Sequence, residues 1–410
     1  MSETNGVVIV GAGLAGAKTA EALRDGGHAG PVVLIGEEQH RPYDRPPLSK
    51  DYLQGKSGRD DVFVHPSSWY TDNHVDLRLG TRVGAIDRAG SAVVLDDGSR
   101  VPYAHPVLAT GSTPRSLTVP GSELGGVLYL RRLEDSERLR DALTTAHRIV
   151  VIGGGWIGLE AAAAARAAGV EVTLLEAAAL PLGHVLGPEI APVFSDLHRE
   201  HGVVVRTGVT VARLVGDDGQ VSGVQLDDGE VVPCDVVLVG VGITPEVRLA
   251  ADSGLTIDNG VLVDEHLVTS DPLVLAVGDV ANAWHPVLGR RIRVEHWANA
   301  LNQPVVAAAT ILGRGAVYDR LPYFYSDQYD LGMEYTGYVV PDGYDGVVVR
   351  GDLASREFVA FWLHDGRVLA GMNVNVWDVT DDIKALIGSG TRVDRDRLAD
   401  PAVPLSSLST

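Results

Sequence analysis

The feature that most constrains this chain is a strand–turn–helix pattern that occurs twice. "VVIVGAGLAGAKTAEAL" is an apolar run, then Gly11-x-Gly13-x-x-Gly16, then an alanine-rich stretch. "RIVVIGGGWIGLEAAAAARAAGVEVTLLE" repeats it with Gly153-x-Gly155-x-x-Gly158. The first glycine of each set permits a tight turn, the second lets the backbone approach a pyrophosphate, and the third lets helix and strand pack closely. The helix starts, Leu14 and Ala15 in one copy and Trp156 and Ile157 in the other, offer amides to an anion. A second buried strand follows each helix and ends in an acid, Glu37 in "PVVLIGEE" and Glu176 in "VTLLE". Such an acid accepts from ribose hydroxyls. A bare GxGxxG is weak; strand, helix, second strand and terminal acid in order predict two dinucleotide sites.

The repeat extends further. "LDDGSRVPYAHPVLATGSTP" (Leu95 to Pro114) aligns with "LDDGEVVPCDVVLVGVGITP" (Leu226 to Pro245), each a strand, an Asp-Asp-Gly turn and a buried strand ending in glycine. The two halves share one plan, which points to duplication of a nucleotide-binding unit in an α/β fold. A third motif, "TSDPLVLAVGDVAN", reads as a short buried strand, Gly278-Asp279 and the start of a helix. Its acid is placed to bind a polyol, or serves only as a helix cap. From about Tyr323 the pattern changes. "GMEYTGYVV", "GVVVRGD" and "EFVAFWLHDGRVLAGMNVNV" alternate between glycine and aspartate turns, predicting antiparallel strands. A helix, "VTDDIKALIG", and an irregular tail, "DPAVPLSSLST", follow.

Bulk properties exclude several classes. The formal net charge of −20 opposes nucleic acid and anionic membrane as partners. No run reaches the length of a membrane span. The start "MSETNG" has no basic or apolar leader character, so the expected location is cytoplasmic. The single cysteine, Cys234 in "VVPCDVVLV", allows no intrachain disulfide and no C-x-x-C pair, and reads as core. His65, His74 and His105 show no metal-ligand spacing, so no metal is expected.

"RPYDRPPLSK", Arg41 to Lys50, is poor helix and poor strand because proline fixes φ and removes donors. It reads as a rigid loop that holds Arg45 and Lys50 in place.

Together, "VIVGAGLAG", "RPYDRPPLSK", "LATGSTPR", "VVIGGGWIGLE", "AVGDVAN", "VEHWANA" and "YSDQYD" resemble the two-dinucleotide-binding flavoproteins. Within them the chain is similar to the NADH-dependent ferredoxin reductases, the group that includes putidaredoxin reductase and the reductases of biphenyl and related dioxygenases. The resemblance implies two Rossmann-like domains of the glutathione reductase type plus a small α+β C-terminal domain. These would be an FAD-binding domain of residues 1–113 and 243–322, an NAD-binding domain of 114–242 and an interface domain of 323–410. It implies FAD at the first site, lined by Gly11, Gly13, Leu14, Ala15, Gly16, Glu37, Arg45, Lys50, Val83, Ala109, Thr110, Gly111, Arg131, Asp279 and Trp297. The second site would take NADH at Gly153, Gly155, Trp156, Ile157, Gly158, Glu176 and Gly242. Lys50 would lie near the hydride-accepting nitrogen, paired with Glu160. A cation there stabilises charge building on reduced flavin, and a carboxylate partner makes its burial tolerable. Glu176 favours NADH, because an acid repels a 2′-phosphate and "AAAL" supplies no cation to receive one.

With thiol chemistry excluded, the electron acceptor is external. The resemblance names a small iron–sulfur ferredoxin feeding a monooxygenase or dioxygenase, and a reductase that is a monomer or weak dimer. Docking of an acidic ferredoxin on this acidic chain needs a local cationic patch. "GRRIRVEHW" supplies Arg290, Arg291 and Arg293 just before Trp297; in a strand Arg291 and Arg293 share a face. One departure from the family is "PYFYSDQYD", with Tyr323 and Tyr325 where relatives usually carry Trp. Two other classes share the architecture. One is a reductase of rubredoxin, quinone or another diffusible acceptor, separated by a turnover comparison. The other is a redox interaction protein like apoptosis-inducing factor, which predicts a targeting segment and extra basic surface.

Overall fold

The computed structural model describes residues 6–409, so the first residues of the leader reading lie outside it. The chain forms two compact units. One takes the chain to Asp44 with Arg59–Thr113 and Thr244–Pro322, and the other takes Arg45–Gly58, Pro114–Ile243 and the chain from Tyr323 onward.

In the first unit, Val7–Val10 lies in the middle of a five-stranded sheet. It pairs in parallel with Val32–Ile35 on one side and His105–Leu108 on the other. Val75–Arg78 and Leu275–Ala276 form the two edges. The central runs VVIV and VVLI are buried at every position, as strands covered on both faces must be. The helix Leu14–Asp25 makes the crossover between them. The hairpins Val83–Asp87, Ala92–Leu95 and Arg100–Pro102 form a separate antiparallel sheet.

The second unit repeats this plan. Arg148–Ile152 sits between Glu171–Glu176 and Val236–Val239, with Val204–Thr207 and Val127–Leu128 as edges, all parallel. Val211–Asp217, Gln220–Leu226 and Val231–Pro233 form the matching antiparallel sheet. Both Asp-Asp-Gly turns close on a glycine with positive φ, Gly98 and Gly229. The helix Gly183–Glu200 is kinked at Gly187, just before Pro188. The same unit contains a five-stranded antiparallel sheet in the order Tyr323–Gln328, Leu331–Gly337, Arg367–Val374, Glu357–His364, Gly346–Asp352.

Four local expectations change. The proline-rich loop contains a 3₁₀ turn, Pro46–Ser49, since proline suits the first position of a helical turn. Gly278–Val280 is a 3₁₀ turn that leads into the strand Ala281–His285 and not into a helix. Glu37 stands two residues beyond its strand, which ends at Ile35. The tail is ordered: Leu405–Leu408 forms a 3₁₀ turn whose two leucines are buried. No helix among the described residues is long and apolar enough to cross a membrane.

Candidate functional site

Within the first unit, the glycines of the first turn are fixed by contact. Gly11 has φ +114°, and a Cβ there would lie 2.1 Å from the Ala109 carbonyl oxygen. A Cβ on Gly16 would lie 2.0 Å from the Gly11 oxygen. Gly13, by contrast, faces open space and begins the helix with no side-chain cap. Only the middle position is left clear, so Leu14, Ala15 and Gly16 begin the helix where an anion is welcome. Gly278, at φ +77°, sits against Ala15, with 3.0 Å between a Cβ built there and the Ala15 Cβ. Its amide donates to Gln303 Oε1 at 2.7 Å, which brings Asp279 beside the first turn. Thr110 Oγ1 donates to the Glu246 carbonyl at 2.8 Å, and Gly111 accepts from the Glu246 amide at 2.9 Å. Val83 is buried at the start of its hairpin. Glu37 lies 4.0 Å from the Arg82 guanidinium. The Trp297 indole donates to Asp44 Oδ1 at 2.8 Å, and burial raises the pKa of that carboxyl.

Within the second unit, Gly153 has φ +105° and would carry a Cβ 2.3 Å from the Gly240 oxygen, while one on Gly158 would lie 2.1 Å from the Gly153 oxygen. Gly155 again faces open space at an uncapped helix start, Trp156–Ala167. Both turns therefore fit a pyrophosphate: the position that must admit it is clear, and the flanking two are closed. Glu176 Oε2 accepts from the Gly154 amide at 2.6 Å and Oε1 from the Ala178 amide at 2.7 Å. Each oxygen retains a lone pair for a ribose hydroxyl. Ile157 is exposed, and Trp156 packs edge-on against Phe194 and Phe324. Gly242, at φ +98°, accepts from the Arg115 amide at 2.9 Å.

Arg45, Lys50 and Arg131 fall in this second unit. Arg45 donates to the Arg131 carbonyl, Ser136 Oγ to the Leu48 carbonyl at 2.8 Å, and Tyr52 OH to Glu137 Oε1 at 2.7 Å. These bonds pin the 3₁₀ turn onto the helix Leu133–Leu143. The stiff turn then aims two neighbours at one acid. Lys50 Nζ stands 2.6 Å from Glu160 Oε1, and Ser49 Oγ donates to Glu160 Oε2 at 2.5 Å. The side chains of Lys50 and Glu160 are only 14% and 4% exposed, so water screens the pair weakly. Lys50 Nζ also lies 5.4 Å from the Tyr325 ring centroid, within cation–π range. Tyr323 is held differently: its hydroxyl donates to Glu334 Oε1 at 2.7 Å.

The patch around Arg291 requires a correction. The strand Arg290–Ile292 ends before Arg293. Arg293 pairs with Glu295 and donates to Asn259 Oδ1 at 3.2 Å and to the Asp279 carbonyl at 3.4 Å. Arg291 donates to the carbonyls of Val263 at 2.5 Å and Asn282 at 3.3 Å. A basic run in sequence thus becomes partly internal hydrogen bonding.

Sequence reasoning missed Ser49, Ser326, Gln328 and His198. The signal for two of them was present: in the strand Tyr323–Gln328, Ser326 and Gln328 are two apart and share the buried face. Cys234 is buried, and burial pushes its thiol up to about 12. Among the described residues, no group of three or more His, Cys, Asp or Glu is arranged to hold a metal ion.

The chain belongs to the pyridine nucleotide-disulphide oxidoreductase family, whose model matches residues 5–303, with a reductase C-terminal module at residues 323–409. It is 40% identical to putidaredoxin reductase of Pseudomonas putida, covering 100% of this chain and 97% of that one. It is 43% identical to the ferredoxin–NAD(+) reductase component of the anthranilate 1,2-dioxygenase system of Burkholderia cepacia, covering 98% of each. Its fold matches the crystal structure of the covalent putidaredoxin reductase–putidaredoxin complex with a TM-score of 0.95 at 40% identity, over 98% of this chain and 97% of that one.

Proposed function

We infer that the chain is an NADH-dependent ferredoxin reductase that passes electrons through FAD to a small iron–sulfur ferredoxin serving an oxygenase. The observation that carries this is the pairing of two open glycine turns with a single thiol that is buried and held protonated. Electrons that enter from NADH have no cysteine to pass through, so they leave to an external acceptor. When bound, FAD accepts a hydride from NADH and releases the electrons singly. The residues Gly11, Gly13, Leu14, Ala15, Gly16, Glu37, Asp279 and Trp297 hold that cofactor in this reading, and Gly153, Gly155, Gly158 and Glu176 hold the nicotinamide dinucleotide. Lys50 carries positive charge to the flavin, and Glu160 keeps that charge in place while water is excluded. The family's division into 1–113 with 243–322, 114–242 and 323–410 is part of the same proposal, as are a monomeric or weakly dimeric state and a cytoplasmic location, where NADH is the available reductant.

For docking, the exposed hairpin edge bearing Arg290 and Arg291 is the proposed contact, with Arg293 in a supporting role behind it. The test compares NADH-driven turnover with a ferredoxin, a rubredoxin, a quinone and ferricyanide. The ferredoxin is expected to give the highest kcat/KM. Arg290→Glu is expected to raise the ferredoxin KM several-fold, less so at high salt, and to leave ferricyanide reduction unchanged. A higher kcat/KM with quinone than with any ferredoxin would favour the diffusible-acceptor reading.

A further inference from the structure

Glu160 is the end of a buried polar chain. Ser326 Oγ lies 2.7 Å from Glu160 Oε1, Gln328 Nε2 lies 3.2 Å from Ser326 Oγ, and His198 Nε2 lies 2.9 Å from Gln328 Oε1. Beyond these, Tyr329 OH lies 3.4 Å from His198 Nδ1, and its ring stacks on His201 at 3.7 Å. Ser326, Gln328 and His198 are at most 1% exposed.

The sense of this chain is forced from one end. A carboxylate has only lone pairs, so Ser326 must give Glu160 its one proton. Ser326 then accepts, which turns the amide nitrogen of Gln328 toward it and the amide oxygen toward His198. His198 must carry its proton on Nε2, leaving Nδ1 to accept from Tyr329. Burial suits this neutral tautomer, pushing the His198 pKa down to about 4. Every donor therefore points toward Glu160, and bonds aligned in one sense strengthen one another. Around them the core is apolar, with Leu197, Phe194, Leu331 and Met333 in one cluster. A histidine, a glutamine and a serine are costly occupants of such a core, and apolar side chains of similar volume would pack there without that cost.

We propose that Ser326, Gln328 and His198 are positioning residues that fix the Glu160 carboxylate, and through it the Lys50 ammonium, in the geometry from which Lys50 acts. This rests on the reading of Lys50 and Glu160 given above. Lys50 and Ser326 share Oε1 and Ser49 donates to Oε2, so both carboxylate oxygens are engaged. Removing the Ser326 donor frees the carboxylate to rotate and lets Nζ follow it.

The experiment is stopped-flow reduction of the bound flavin by NADH in the FAD-loaded enzyme. The variants are Glu160→Gln, Gln328→Leu, Ser326→Ala, Ser326→Thr and the double variant Glu160→Gln/Gln328→Leu. Gln328→Leu and Ser326→Ala are each expected to lower the limiting rate roughly tenfold, the scale of one hydrogen bond to a charged group. The NADH concentration for half the limiting rate should stay within about twofold. Ser326→Thr, which keeps the hydroxyl, should restore the rate. In the Glu160→Gln background, Gln328→Leu should cost nothing further, since its effect runs through the carboxylate. A slow Glu160→Gln beside unimpaired Gln328→Leu and Ser326→Ala would overturn the chain but leave the Lys50–Glu160 reading intact. An undiminished rate in Glu160→Gln would remove that reading and this inference with it. A Gln328→Leu loss that persists in the double variant marks general damage and also overturns the inference. Should Gln328→Leu not fold, the Ser326→Ala and Ser326→Thr pair decides alone.

Discussion

The two glycine turns are nearly superimposable in what they forbid. A Cβ on Gly11 or Gly153 would meet a carbonyl oxygen at 2.1 or 2.3 Å, and one on Gly16 or Gly158 would do so at 2.0 or 2.1 Å. Two residues past the third glycine the likeness stops. The first copy has Lys18, part-buried and paired with Glu21 at 2.7 Å along its own helix. The second has Glu160, buried and bonded to Ser49, Lys50 and Ser326 from two other segments. A duplicated turn supplies binding twice over. In the proposed reading, what separates a holder of cofactor from a site that works on it is one helix position turned from surface to core.

The comparison breaks first at the glycines. Gly11→Ala is expected to abolish FAD retention, giving colourless protein after gel filtration, because backbone and not a flexible side chain meets the new Cβ. Gly153→Ala should stay yellow and lose NADH binding, measured as a steep rise in the half-saturating NADH concentration. A yellow Gly11→Ala protein that has lost NADH would exchange the two assignments.

Glu160→Gln comes next. It removes the carboxylate that pairs with Lys50 in a poorly hydrated site, and the limiting rate of flavin reduction should fall roughly a hundredfold. Lys18→Met, at the matching position of the first copy, should leave that rate unaltered.

A smaller effect is read in acid at one residue of the second unit. Burial lowers the His198 pKa from its ordinary 6.5 to about 4. The unfolded chain takes up this proton near 6.5 and the folded chain only near 4, so the stabilisation is complete above 6.5 and is lost as pH falls. By pH 5 about 2 kcal/mol is gone. His198→Gln should flatten that part of the stability curve, read by urea unfolding at pH 5, 6 and 7. His65 and His285 in the first unit are shifted in the same direction and keep their own share of the slope.

The smallest expected effect is at Glu176. Glu176→Ala should narrow the NADH over NADPH preference in kcat/KM by about tenfold. An unchanged ratio in steady-state kinetics would make Glu176 a brace for the Gly154 and Ala178 amides and nothing more.

Much of the architecture was legible because it is local. A tight turn that needs φ near +110° needs glycine, and the strand before it and the helix after it declare themselves by pattern within thirty residues. The alternating strands from Tyr323 were legible for the same reason. The surroundings of Glu160 were not: Ser49 lies 111 positions away in the chain and Ser326 lies 166 away, and no periodicity connects them. Nothing in the local sequence marks His198, whose partner Gln328 lies 130 positions away. The arginines of "GRRIRVEHW" were legible only in part. A run of cations reads as surface, yet Arg291 and Arg293 turn their guanidiniums onto backbone carbonyls that a sequence does not display.

The interleaving of the two units has a consequence for synthesis. Neither unit is contiguous: the first needs Thr244–Pro322 to close, and the second needs the chain from Tyr323 onward. Glu160 leaves the ribosome 166 residues ahead of the serine that bonds it. At about 5–20 residues per second, the acid waits roughly 10–30 s for its donor. Through that interval the nascent chain carries an ionisable group in a half-built apolar core. On the proposed assignment, flavin capture at the first turn likewise waits for Asp279. Until residue 322 is made the nascent chain can therefore complete neither unit, and a slow codon stretch between residues 160 and 326 would lengthen its exposure without altering one residue of the finished enzyme.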